Sequence, residues 1–361
     1  MIICLFMKKE LLLLFLTLAT GCQSPKISSE KGPHETLSSS TPKRSHATYA
    51  THRYYQPVYP VKVDTYENEV IDFQNFIAQH GYDSTYHPLI GIVTEEKQDV
   101  LDVTELLARI QLNVPHKDLV HLMTNEVLTK VLAYRQLRIG EKIPIPVAFP
   151  NGNIMLILYE VETRIELAPN VPAFGLVPHS QEVPPILLFR GTDFSLRGIA
   201  SILADLDLSG PGLTMFHSAQ EEIHNWLYRV SVSHAKARIM GYSLGGSFTQ
   251  YTCFYEHELV CKDPRFPSIA FNQPGMSEDL AYRWHQLEIS KRPPLQGFVT
   301  EGDLVSTVGK LVGNVYELSL DYLLEPLMAH VTLMSLQQRV YTYQIDVTLK
   351  YEKDYSVHKK L

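Results

Sequence analysis

The chain has 361 residues, 45% of them hydrophobic and 20% charged, ample material for a large globular core. A net charge of −7 excludes nucleic acid as the expected partner, because phosphate binding needs a basic face. Nothing in the composition calls for a cofactor. No metal is expected either: His217 and His224 share a helix face with Glu221, but their spacing matches no metal site and reads as a solvated helix.

Residues 1–21 read as a targeting device. Lys8 and Lys9 precede an apolar run at 11–19, too short to span a bilayer and of the length of a signal-peptide core. The run ends in Leu18-Ala19-Thr20-Gly21-Cys22, which resembles the bacterial lipobox. That resemblance implies a diacylglyceryl group on Cys22 and attachment to a membrane through buried acyl chains. With Gln23 following, it also implies the outer membrane of a bacterial envelope. An ordinary signal peptide and an uncleaved anchor are the alternatives. Met7 is a better start for such a signal than Met1.

Residues 22–60 are rich in Ser, Thr, Pro, Lys and His and too poor in aliphatics to fold alone, so they read as a flexible tether. From 61 to 150 the pattern is helical, with apolar Val70, Phe73, Phe76 and Ile77 in one run and a longer run at 118–137. A short turn at 103–110 lies between them. This segment is expected to pack on the core and to carry no chemistry. The remainder, 151–361, is expected to be the functional domain. It opens with residues 154–167, where Tyr159, Val161, Ile165 and Leu167 alternate with charged residues as in a half-exposed antiparallel strand.

Five apolar runs then follow, each ending in a turn. They are 185–189 before Arg190-Gly191-Thr192-Asp193, 237–240 before Gly241, 267–271 before Asn272-Gln273-Pro274-Gly275, 295–300 before Glu301-Gly302-Asp303, and 314–320 before a loop holding His330. Helix-length segments at 218–230 and 246–259 separate some of them. Short buried strands alternating with helices predict an α/β fold with a mostly parallel sheet and helices on both faces. Ligands in such sheets bind beyond the carboxyl ends of the strands, where all five turns fall. The alternating tail at 340–351 predicts an added antiparallel edge strand.

The turn at Gly241-Tyr242-Ser243-Leu244-Gly245 has the spacing of a nucleophile elbow, a strained strand-to-helix turn that lifts a serine hydroxyl above the sheet. Cβ atoms at Gly241 or Gly245 would collide with neighbouring backbone. A bare pattern of this kind recurs by chance in about one chain in ten of this length. Its context makes the difference. Acyl transfer by serine needs a base, an acid that holds the base in its working tautomer, and donors for the oxyanion. Ser243, Asp303 and His330 each follow a predicted strand in the order serine, acid, histidine. Glu301 and Asp321 are the alternative acids, and His358 in the polar tail is the rival base.

Phe189-Arg190-Gly191-Thr192, Gly241-Tyr242-Ser243-Leu244-Gly245-Gly246 and the spacing to Asp303 resemble the class 3, fungal-type lipases over roughly residues 150–335. The resemblance implies an α/β-hydrolase fold and a carboxylester hydrolase acting on acylglycerols or related lipids through a Ser-Asp-His triad. It also implies oxyanion donors on the N–H groups of Leu244 and Thr192 and a structural role for His217 ahead of a helix. Tyr242 replaces the family's usual histidine, with little expected consequence. Residues 197–213 fall where the family often has a lid, and their amphipathic run at 199–206 forms either a mobile lid or a fixed surface helix. Cys253 and Cys261, about 12 Å apart if both were helical, are expected to be separate thiols unless the helix ends between them.

Two classes of function remain open on the sequence. One is a membrane-tethered serine lipase or esterase, with acyl transfer to another acceptor using the same residues. The other is a surface lipoprotein that uses a hydrolase fold for binding or adhesion.

Overall fold

The computed structural model of the chain describes residues 56–59, 107–108, 110–111, 117–149, 151–192, 210–337, 340–345 and 347. Cys22, the tether up to residue 55, the helical run at 67–77, Asp193, the amphipathic run at 199–206 and His358 lie outside these residues.

In chain order the elements are strand β1 (Gln56–Tyr59), helix α1 (Lys117–Lys130), strands β2 (Lys142–Ala148), β3 (Ile154–Ala168), β4 (Val171–Pro178) and β5 (Ile186–Phe189), and helix α2 (Leu213–Ser233). There follow β6 (Arg238–Tyr242), α3 (Leu244–Tyr255), β7 (Ser268–Phe271), α4 (Glu278–Gln286), β8 (Leu295–Thr300), β9 (Asn314–Ser319), α5 (Pro326–Val331) and β10 (Tyr341–Ile345). All described strands belong to one sheet in the order β1-β10-β9-β8-β7-β6-β5-β4-β3-β2.

The five apolar runs are the parallel block, β5 to β9, in sequential order. Around it the sheet is more antiparallel than the sequence predicts. Strands β2, β3 and β4 extend one side and β10 and β1 the other, all antiparallel. The sheet is therefore mixed, with a parallel centre. β10 was expected at the edge, but β1 pairs with its free side, as Pro57↔Tyr343, and becomes the edge itself.

β2 falls within the segment read as helical. Its Ile143, Ile145 and Val147 alternate with period two, and its two prolines oppose Leu158 and Leu156 of β3. Proline cannot donate to a ladder, so Pro144 and Pro146 are tolerated because β2 is the outermost strand. In β4, a Cβ at Gly175 would lie 2.5 Å from the Trp226 indole, so glycine makes the space in which α2 packs on the sheet.

Alternation along the central strands divides the core in two. Ile186 and Leu188 of β5, with Met240 and Tyr242 of β6, face a cluster that contains Val120, Met123, Val127 and Val131 from α1 and its continuation. Leu187, Phe189 and Ile239 face the opposite cluster, with Phe216, Trp226, Phe248 and Trp284 from α2, α3 and α4. Helices thus cover both faces, as predicted. α4 is capped by the Ser277 hydroxyl, which accepts the Leu280 N–H.

α1 carries a titratable group with a stability consequence. On its half-buried His121, burial, reinforced by the Arg238 guanidinium, pushes the imidazole pKa down to about 4 against a hydrogen bond to Gln296. The folded state therefore resists a proton that the unfolded chain accepts near pH 6.5. Stability is retained above that pH and is lost as the pH falls towards 4, by at most about 1.4 kcal/mol per pH unit. Denaturant titrations of wild type and His121→Gln across this window check this: the variant's stability should fall less steeply, and parallel curves would remove His121 from the account.

Candidate active site

The parallel block delivers its turns to the carboxyl ends of its strands. Ser243 follows β6, Asn272 follows β7, Asp303 follows β8, and the turn Gly191-Thr192 follows β5. Ser243 has the strained backbone expected of a nucleophile elbow, with φ 55° and ψ −127°. For a residue with a Cβ this costs roughly 1–3 kcal/mol, so neighbouring structure must hold it there. It does so at both ends: the Ser243 N–H donates to the Phe271 carbonyl at 2.9 Å, and its carbonyl accepts from the Gly246 N–H at 2.9 Å. The flanking glycines have the reason the motif predicts. A Cβ at Gly241 would fall inside the Gly245 carbonyl, and one at Gly245 would sit 2.7 Å from the Phe189 carbonyl oxygen.

His330 lies beside this serine. It sits in the last turn of the short helix α5 rather than in a loop, and its side chain is buried. The Ser243 hydroxyl donates to His330 Nε2 at 2.9 Å, and His330 Nδ1–H donates to the Asp303 carboxylate at 3.0 and 3.1 Å. Asp303 is buried as well and is fixed as an acceptor by the Val305 N–H at 2.9 Å and the Ser306 hydroxyl at 2.6 Å. Of the three acids considered, Asp303 is therefore the one paired with the histidine. Asp321 is exposed and accepts from the Tyr341 hydroxyl at 2.9 Å.

The two turns expected to carry oxyanion donors lie side by side. Leu244 is the first residue of α3, so its N–H has no intrahelical acceptor and points out of the positive end of the helix. β5 and β6 pair as Phe189↔Gly241, which brings the turn after β5 against the elbow. There a Cβ at Gly191 would lie 2.8 Å from the Tyr242 carbonyl and 3.4 Å from the Ser243 Cβ, so only glycine lets Thr192 follow so closely.

Two supports of the histidine were not expected from the sequence. Tyr242 is not a neutral replacement: its hydroxyl donates to the His330 carbonyl at 2.7 Å, and its ring lies against the imidazole with centroids 5.1 Å apart. Burial, with Tyr134, Asp303 and Glu126 nearby, holds the Tyr242 phenol well above its usual pKa, which keeps this donor protonated. Asn272, at a left-handed φ of 47°, turns its amide towards the Ala329 carbonyl at 2.9 Å and the His330 carbonyl at 3.1 Å. A polar residue in a turn after a core strand was the available signal.

The other residues singled out lie elsewhere. His217 is exposed on α2, inside the helix rather than ahead of it, and bonds Gln220 at 2.8 Å. His224 on the same helix bonds Glu256 at 2.8 Å. α3 ends at Tyr255, before Cys261, yet Cys253 and Cys261 are both free and buried, and burial pushes the Cys253 thiol up to about 12. Among the described residues, no cluster of three or more His, Cys, Asp or Glu side chains could hold a metal ion, and no helix is long and apolar enough to cross a membrane. Comparison with protein-family models and with curated proteins finds no match for this chain.

Proposed function

We propose that the chain is a serine carboxylester hydrolase of α/β-hydrolase architecture, with Ser243 as nucleophile, His330 as base and Asp303 as the acid that orients it. The observation that carries this reading is the unbroken relay from Ser243 through His330 to Asp303, buried at the carboxyl edge of a parallel block. A binding protein has no physical need for a strained serine, a buried histidine and a buried carboxylate in this register.

The chemistry follows from the geometry. Ser243 Oγ attacks the ester carbonyl while its proton passes to His330 Nε2, and the Leu244 and Thr192 N–H groups receive the oxyanion. Collapse expels the alcohol, which takes the proton from His330 and leaves an acyl-serine. Water then repeats the sequence, with its proton going to His330 and returning to Ser243 as the acid departs. Asp303 remains ionised throughout and stabilises the imidazolium. The resemblance to class 3 lipases suggests acylglycerols or related lipid esters as substrates.

A fluorophosphonate probe tests the reading. Wild-type protein should be labelled and Ser243→Ala should not; an unlabelled wild type, or equal labelling of the two, rules the hydrolase out. p-Nitrophenyl esters of increasing chain length then distinguish a lipase from a short-chain esterase.

A further inference from the structure

The segment expected to carry no chemistry holds a buried ion pair. Glu126 and Lys130 lie one turn apart on the sheet-facing side of α1, and neither side chain reaches solvent. Lys130 Nζ donates to Glu126 Oε1 at 2.7 Å and to the Thr332 carbonyl at 2.7 Å, and lies 5.2 Å from the centre of the Tyr242 ring. The Glu126 carboxylate accepts two backbone N–H groups, from Met334 at 2.9 Å and Ser335 at 2.8 Å.

Two charges withdrawn from water are costly unless their hydrogen-bonding capacity is used, and an apolar pair of the same volume would fill this space at less expense. What the apolar pair could not do is grip a backbone. Every hydrogen-bond partner outside the pair is a main-chain group of the stretch that leaves α5, and Thr332 is two residues beyond His330. On the other side, Asn272 and Tyr242 hold the carbonyls of Ala329 and His330. The histidine is thus bracketed, with fixed polar contacts before and after it.

Resting on the triad reading above, we propose that Glu126 and Lys130 are a positioning pair that sets the depth and ring orientation of His330 by clamping the chain at Thr332, Met334 and Ser335. Neither residue touches a reacting atom. Without them the packing of α1 would survive, but the end of α5 would be free to drift, and a displacement of about 1 Å at a reacting group can cost on the order of 100-fold in rate.

The test uses the whole protein and two readouts. One is the rate of fluorophosphonate labelling as a function of pH. The other is the downfield proton resonance of His330 Nδ1–H, assigned by its absence from His330→Gln, which reports the bond to Asp303 whatever the protein catalyses. Lys130→Met alone leaves a buried carboxylate unpaired and is prone to unfold. The double variant Glu126→Gln/Lys130→Met removes both charges at nearly constant volume, and Glu126→Asp keeps the charge balance while withdrawing the carboxylate by one methylene. With wild-type near-ultraviolet dichroism, the double variant should lose or shift the His330 proton and label about 100-fold more slowly. Glu126→Asp should fall between it and wild type. If the proton stays in place in the folded double variant, or if Glu126→Asp matches wild type in both readouts, the clamp is refuted. A wild type that is never labelled, but whose His330 proton disappears in the double variant, would dismiss the hydrolase and leave the positioning pair standing.

Discussion

Asp303→Asn should lower ester turnover by about 10⁴-fold while leaving substrate binding and the fold close to wild type. The reason lies in the groups around the carboxylate. Oδ1 accepts the Val305 N–H and Oδ2 the Ser306 hydroxyl, so both oxygens are committed as acceptors while they receive His330 Nδ1–H. An asparagine keeps its oxygen towards the backbone donor and turns its amide hydrogens towards the imidazole. Nδ1 must then become an acceptor, which moves the ring proton to Nε2. The base now presents an N–H to the Ser243 hydroxyl and cannot take its proton. Lost, too, is the negative charge that stabilises the imidazolium formed during attack. Steady-state kinetics with a p-nitrophenyl ester separate the outcomes: kcat should fall and KM should hold. A rise in KM at constant kcat would place the orienting acid elsewhere.

Gly241→Ala should destabilise the protein by about 3 kcal/mol or more, the largest loss expected of any single added methyl group at this site. Gly241 does not adopt a positive φ, so its backbone would accept alanine without strain. The obstacle is space, because the new Cβ would overlap the Gly245 carbonyl and approach Thr249 Oγ1 to 2.8 Å. The carbonyl belongs to the first turn of α3 and cannot yield without moving the serine. Gly152 is the converse case, with φ 86° and no atom within 4 Å of an added Cβ. Alanine there meets only the left-handed backbone penalty of roughly 1–2 kcal/mol. Urea melts of the two variants should keep this order. Equal losses would mean that the elbow glycine is set by conformation rather than by crowding.

Much of the site was legible because its pattern is local. A nucleophile turn needs glycines on either side of the serine, and that requirement is written in five consecutive residues. The parallel strands were equally plain, since each is a short apolar run closed by a turn. Strands β2 and β4 were harder to see because prolines interrupt them, and a proline signals a strand only once its place at a sheet edge or in a bulge is known. Helix α5 is only six residues long and lies between two turns, too short for a periodic signal.

The sequence by itself determined the order of serine, acid and histidine, the strand before each of the first two, and the glycines that let the turns approach one another. These follow from sterics and periodicity within a few residues. Only the tertiary structure decided which carboxylate meets His330, because Asp303 and Asp321 both follow strands and differ in whether the fold buries them. It alone turned Glu126 and Lys130, an ordinary helical charge pair at a spacing of four, into a buried clamp on a backbone more than 200 residues away. It did the same for Tyr242, which in the sequence is merely the residue before the serine. The strand alternation that ends at the elbow turns the Tyr242 side chain into the cluster under α1, against the ring and carbonyl of the histidine. Distance between remote groups is a property of the packed core, and no short-range pattern encodes it.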